Sequence, residues 1–301
     1  MQRAVGVPVA RSSYAVLYID MGSVSFYYGV YEMAEDVGSN DFIASRLSGD
    51  GGSGNYYQLN YDVYLQYLGA AQSIYQNKTH TNSLGATLNN YDLVSGTQDW
   101  SDLVQFLAFV NTSSDADFAA HLGEHIEVES LLRQMVVESF LLAGDSFGPS
   151  GQNYYLYHRE GVEQMQLVEV DFDEIFAFES SGAALEPAMP ADIYTFFLVP
   201  DKPEHYNPLL LRMLALDQYR QQFQGLYKQF LEGIFGPASR IQPSQRNAQR
   251  LAFVYDWIAR DKMWQAAELR HDHARPARVL AAHIGHAAVA LRQRHCAACC
   301  C

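Results

Sequence analysis

The sequence predicts an α+β fold in which a small β-rich part precedes a larger helical part. Three observations carry this. Aromatic and apolar runs of strand length, separated by turn residues, fill much of the first sixty positions. From Asp99 onward, long stretches place apolar residues at helical spacing. One further pair of strand-like runs, 153–158 and 166–172, interrupts those helices. Strands first and helices later is the order expected of segregated β and α portions around a shared core.

Tyr14 to Ile19 and Phe26 to Met33 are apolar or aromatic, and Asp20-Met21-Gly22-Ser23 between them has turn chemistry, so a β-hairpin is expected. Asp41 to Leu47 reads as a short helix. Gly49 to Gly54 holds four glycines in six residues, a flexible loop where backbone can approach a ligand closely. Asn55 to Leu59 is the next strand, and Asp62 to Asn90 is Tyr-rich, polar and weakly periodic, hence mixed.

Asp99 and Ser101 are expected caps for a helix that carries Leu103, Phe106, Leu107 and Val110. Val128 to Ala143 is a stronger helix, with Leu131, Leu132, Met135, Val136, Phe140 and Leu141 on one broad face. Asn153 to His158 and Gln166 to Phe172 are strands about the turn Arg159-Glu160-Gly161, and helices return over Asn207 to Phe235 and Gln245 to Arg270. From His271 the composition shifts to Ala, His and Arg and holds five of the ten histidines. This tail ends in all four cysteines, Cys296, Cys299, Cys300 and Cys301. Its spacing matches neither a zinc site nor a prenylation box, so it is expected to be disordered and to carry no function.

Hydrophobic residues at 49% against 18% charged describe a chain that folds, not an extended disordered one. A formal charge of −14 with no long basic tract excludes nucleic acid and anionic membranes as partners. No apolar run reaches membrane-spanning length, and Met1 to Ala10 lacks the pattern of a signal peptide. The 20 Tyr and 16 Phe cluster in strand-like runs and are expected in the core. Asn77 and Asn111 fit the glycosylation sequon at a frequency close to chance. His121 and His125 are four apart, but they straddle Gly123 and are expected as a surface pair.

The chemistry-bearing stretch runs from Gly144 to Phe176. Asp145 directly follows a helix and opens a Gly/Pro/Ser loop, Asn153 starts a strand eight residues later, and the next strand ends on Asp171-Phe172-Asp173. An Asp, an Asn and a second Asp at strand and loop ends are the hard oxygen ligands that magnesium takes. Their order parallels phosphotransfer sites, where one Asp orients the attacking hydroxyl while an Asn and another Asp hold the metal.

This segment resembles the CotH kinase family, named for spore coat proteins, whose members carry an Asp, then Asn-Tyr-Tyr-Leu-Tyr, then a strand ending Asp-x-Asp. Flanking stretches are similar in the same order: Gly6 to Tyr14, Gly29-Val-Tyr31 through Glu35, Gly54-Asn-Tyr-Tyr, Asp99-Trp100, Val128-Glu-Ser-Leu, and Asn207-Pro208-Leu through Tyr219-Arg220. The resemblance implies a two-lobed atypical protein-kinase-like domain over residues 1–262. Its small lobe would occupy about 1–90, lacking the family's strands before Gly6, and its helical lobe about 91–262, ahead of the tail 263–301. It implies transfer of the ATP γ-phosphoryl group to protein Ser or Thr with Mg2+ or Mn2+, Asp145 being catalytic and Asn153, Asp171 and Asp173 metal ligands.

On the small lobe, Glu35 matches the carboxylate that organises a phosphate-binding Lys. The family often places that Lys where this chain has Gln58, leaving Arg11, Arg46 or Lys78 as substitutes. The acceptor expected from the resemblance is a coat or surface protein, and the compartment extracellular, cell-surface or spore coat. A catalytically inactive adhesion or coat-scaffold protein is the alternative, and Gln58 favours it.

Overall fold

The structure, a computed structural model, describes residues 2–47, 53–82, 84–172, 175, 193, 195–197 and 205–235. Asp173, most of the glycine loop, the expected helix 245–270 and the tail lie outside them. The elements in chain order begin with α1 (Gln2–Val5), β1 (Ser12–Asp20), β2 (Ser25–Ala34), α2 (Asn40–Phe42), β3 (Tyr56–Leu59) and α3 (Gln72–Gln76). Then come β4 (Thr79–Thr81), β5 (Thr87–Asn89), β6 (Tyr91–Ser95), α4 (Ser101–Thr112), α5 (Asp115–His125) and α6 (Val128–Leu141). The series closes with β7 (Tyr154–Arg159), β8 (Gln164–Glu169), α7 (Pro208–Ala215) and α8 (Asp217–Phe235). The fold is α+β, as expected.

Contacts divide the chain into two units, one of which is, among the described residues, Arg11–Glu35. This is the β1–β2 antiparallel hairpin, with a register shift between Leu17 and Tyr18. Its turn needs a positive φ at Gly22 (78°), and Met21 N–H donates to Val24 O at 2.9 Å. The expectation that strand aromatics are core fails here. Tyr14, Tyr18, Phe26, Tyr28 and Tyr31 are all exposed.

The other unit is built on the sheet β6-β3-β7-β8, antiparallel throughout. It joins β3, from the first ninety residues, to three strands that follow them, so these four strands form one structural element. Side chains alternate across it, and both faces are covered. Tyr57, Leu59, Tyr154, Leu156 and Leu167 face a core filled by Leu103 and Leu107 of α4, Leu132 and Met135 of α6, and Phe223 of α8. Tyr56, Tyr155, Tyr157 and Val168 face a smaller cluster with Phe42, Ile43 and Leu47. A strand buried on both faces has no reason to alternate, which is why Tyr154 to Tyr157 is unbroken Tyr-Tyr-Leu-Tyr.

The helices fall close to their expected positions. Asp99 accepts from Ser101 N–H at 3.0 Å, while the cap position itself is Trp100, with no side-chain bond. The helices expected from Asn207 to Phe235 are two, meeting at Leu216, with Asn207 accepting from Leu209 and Leu210 N–H. Among the elements invisible in the sequence are β6, which follows the Tyr-rich polar stretch, and α5, whose apolar face is only Phe118 and Leu122.

Candidate functional site

α6 sets the start of the site. It ends where Leu142 adopts the left-handed conformation (φ 51°), and Ala143 N–H closes back on Glu138 O at 3.1 Å. The following loop, Gly144 to Gln152, folds on itself: Ser146 Oγ donates to Ala143 O at 2.7 Å, and Ser150 N–H to Ser146 O at 3.2 Å. Phe147 anchors it, fully buried with its ring edge-on to Tyr154 at 4.8 Å. Gly151 (φ 62°) lets the loop pass close to β3's exit, where a Cβ would stand 2.9 Å from Val63 O, and Val63 N–H donates to Gly151 O at 2.8 Å.

Asp145 and Asn153 meet directly. Asn153 Nδ2 donates to Asp145 Oδ2 at 3.0 Å and to Asp145 O at 2.9 Å, and Ser150 Oγ donates to Asp145 Oδ1 at 3.3 Å. Both side chains are half-buried. Both of the bonds between the Asn153 side chain and Asp145 come from the amide nitrogen. Asn153 O accepts from Val170 N–H at 2.9 Å, one step beyond the β7–β8 ladder, so Asp171 leaves the sheet beside Asn153. Asn153 (φ 60°) and Asp171 (φ 58°) are both left-handed, and Asn and Asp are the side chains that tolerate this best. Asp171 is exposed.

The expected trio therefore converges on one end of one strand pair. Two carboxylates and an amide oxygen suit magnesium or manganese chemically. Among the described residues, no group of three or more His, Cys, Asp or Glu forms a metal site by itself.

Glu35 directly follows β2, and Arg11 Nη2 and Nε donate to it at 2.5 and 3.2 Å. That pairing commits Arg11 within the hairpin and raises its pKa. Gln58 sits between Asp92 and Tyr155 in register. With Asn60, Tyr61, His80, Asn89 and Asp92 it lines a pocket of about 570 Å³ that no described Lys or Arg lines. Asp92 is bonded by Asn60 and Asn89, each at 2.8 Å. Lys78 is half-buried, and burial lowers its pKa against the pull of Asp62. His121 and His125 lie on α5 without forming a pair: His121 meets Asp117, and His125 stacks on Phe109 at 3.7 Å. Asn111, the second sequon, spends its amide on Leu65 O and Leu107 O.

Sequence reasoning missed two residues behind the loop. Glu138 and Glu169 are fully buried carboxyls that interact with each other. Burial pushes both pKa values up, Glu169 well above the carboxylate range because Glu138 adds its charge to the effect of burial. Two buried carboxylates side by side are far costlier than one. A signal existed: Glu138 falls three residues after Met135 and seven after Leu131, on the apolar stripe of α6.

Among the described residues, no helix is long and apolar enough to cross a membrane. A family model described as "CotH kinase protein" matches residues 1–251 of the chain. No curated protein matches it.

Proposed function

Since the chain belongs to the CotH kinase family, we propose that it is a metal-dependent atypical protein kinase that phosphorylates Ser or Thr of a coat or surface protein. The contact between Asn153 and Asp145, with Asp171 leaving the sheet beside them, is the observation that supports this most. Asp145 orients the acceptor hydroxyl and takes its proton as the new O–P bond forms and the bond to the β-phosphate oxygen breaks. Asn153 Oδ1 and Asp171 hold the metal, and Asp173, two residues on, assists. Mg2+ or Mn2+, when bound, neutralises charge on the phosphates of ATP. Catalysis then rests on positioning and electrostatics.

The proposal includes a two-lobed kinase-like arrangement and a domain closing near residue 262, ahead of the tail. Glu35 and Gln58 belong to its nucleotide side. Because no described Lys or Arg lines the Gln58 pocket and Arg11 is held by Glu35, Arg46 and Lys78, both half-buried, are the remaining cations suited to a phosphate. The absence of Lys or Arg from that described pocket lining favours one second reading, a coat or adhesion scaffold that keeps the fold without the chemistry.

Calorimetric titration of the full chain with ATP and Mg2+ or Mn2+ separates the two. Metal-dependent binding is expected, and Asp171→Ala should weaken it by at least about tenfold. A folded wild-type protein that binds no nucleotide would leave the scaffold reading standing.

A further inference from the structure

We infer that Glu138 and Glu169 are positioning residues that fix the Asp145 loop through two adjacent backbone amides; the catalytic consequence rests on the kinase reading above. Glu138, on α6, accepts from Gly148 N–H at 3.0 Å. Glu169, the last residue of β8, accepts from Phe147 N–H at 3.3 Å, and Gln134 Nε2 donates to its other oxygen. A helix and a strand thus grip the same loop two and three residues past Asp145. Glu169 also stands two residues before Asp171, so one buried pair reaches both halves of the site.

Stability alone does not account for this arrangement. Buried carboxyls are costly, and apolar residues of similar volume in such places are often neutral or stabilising. Glu138 Oε2 is buried without a hydrogen-bond partner of its own among the described residues. Gly148 accommodates the close approach, since a Cβ there would stand 3.2 Å from Glu138 Oε2 and 2.7 Å from Phe197. What the pair supplies is two directional acceptors for amides that the loop cannot satisfy itself.

The test compares Glu138→Leu and Glu138→Gln in the full chain, by amide hydrogen exchange at Phe147 and Gly148 and by steady-state phosphoryl transfer. Leu removes the acceptor and fills the volume. Gln keeps an oxygen for Gly148 N–H and presents an amide N–H towards Glu169. With Glu138→Leu, Gly148 exchange should rise by about tenfold or more while the cooperative unfolding transition persists. Its kcat should fall by about 10–100-fold with KM for ATP within about threefold of wild type.

Glu138→Gln should restore both readouts to within about threefold of wild type. Unchanged Gly148 protection in Glu138→Leu, or a Gln variant as impaired as Leu, would overturn the inference. If Glu138→Leu does not fold, Glu138→Gln decides by its own amide protection. If wild type transfers no phosphate, the kinase reading fails and the exchange arm still decides whether the pair holds the loop.

Discussion

At Asn153 and Asp171 the backbone turns left-handed in two residues that are not glycine. Each such position costs of order 1 kcal/mol, and they persist because the ladder and the Asp145 contact hold them. Asp145, Asn153 and Asp171 stood out in the sequence by their order and setting, and the structure places them at one strand end. Glu138 was not legible, because a single Glu in an apolar helix reads as solvated until its stripe is counted. His125 gives a residue-scale prediction. Burial against Phe109 lowers its pKa below the ordinary 6.5, so the unfolded chain binds more protons than the native one just below that pH. Its neutral form therefore supports stability above pH 6.5, and that contribution is lost as pH falls through the folded value. Urea midpoints measured from pH 7.5 to 5 should show this decline, and it should be smaller in His125→Gln. An identical decline in the variant would assign it to other groups.

The elements that build the site are β3, β7, β8 and α6, and their fit is tight where β3 begins. A Cβ on Gly54 would fall 1.7 Å from His158 O, inside the backbone of β7. Gly54→Ala should therefore cost about 2–4 kcal/mol in urea unfolding. Gly123, inside α5 with nothing within 4 Å of its Cβ, should behave oppositely, Gly123→Ala gaining about 0.5–1 kcal/mol. Equal effects at the two positions would contradict the packing described. The β7–β8 hairpin and α6 were readable from their patterns. The pairing of β3 with both β6 and β7 was not, because long-range register leaves no local trace in a strand buried on both faces. β1 and β2 were readable as a hairpin, but their aromatics are exposed, since strand propensity fixes conformation and says nothing of which surface covers it.

For the whole molecule, a charge of −14 means that ATP approaches a like-charged protein, so binding depends on the metal and on few local cations. The proposed chemistry assigns separate tasks to the residues of one strand end: Asn153 and Asp171 to the metal, Asp145 to the acceptor. The most direct measurement is γ-phosphoryl transfer from ATP to an acceptor protein by the full chain and by Asp145→Asn, alongside metal–ATP affinity. Wild type should transfer phosphate only with Mg2+ or Mn2+, and Asp145→Asn should be slower by about 100-fold or more while binding metal–ATP within a few-fold of wild type. Transfer by Asp145→Asn at the wild-type rate, or none by a folded wild-type protein that binds ATP, would contradict the assignment of catalysis to this site.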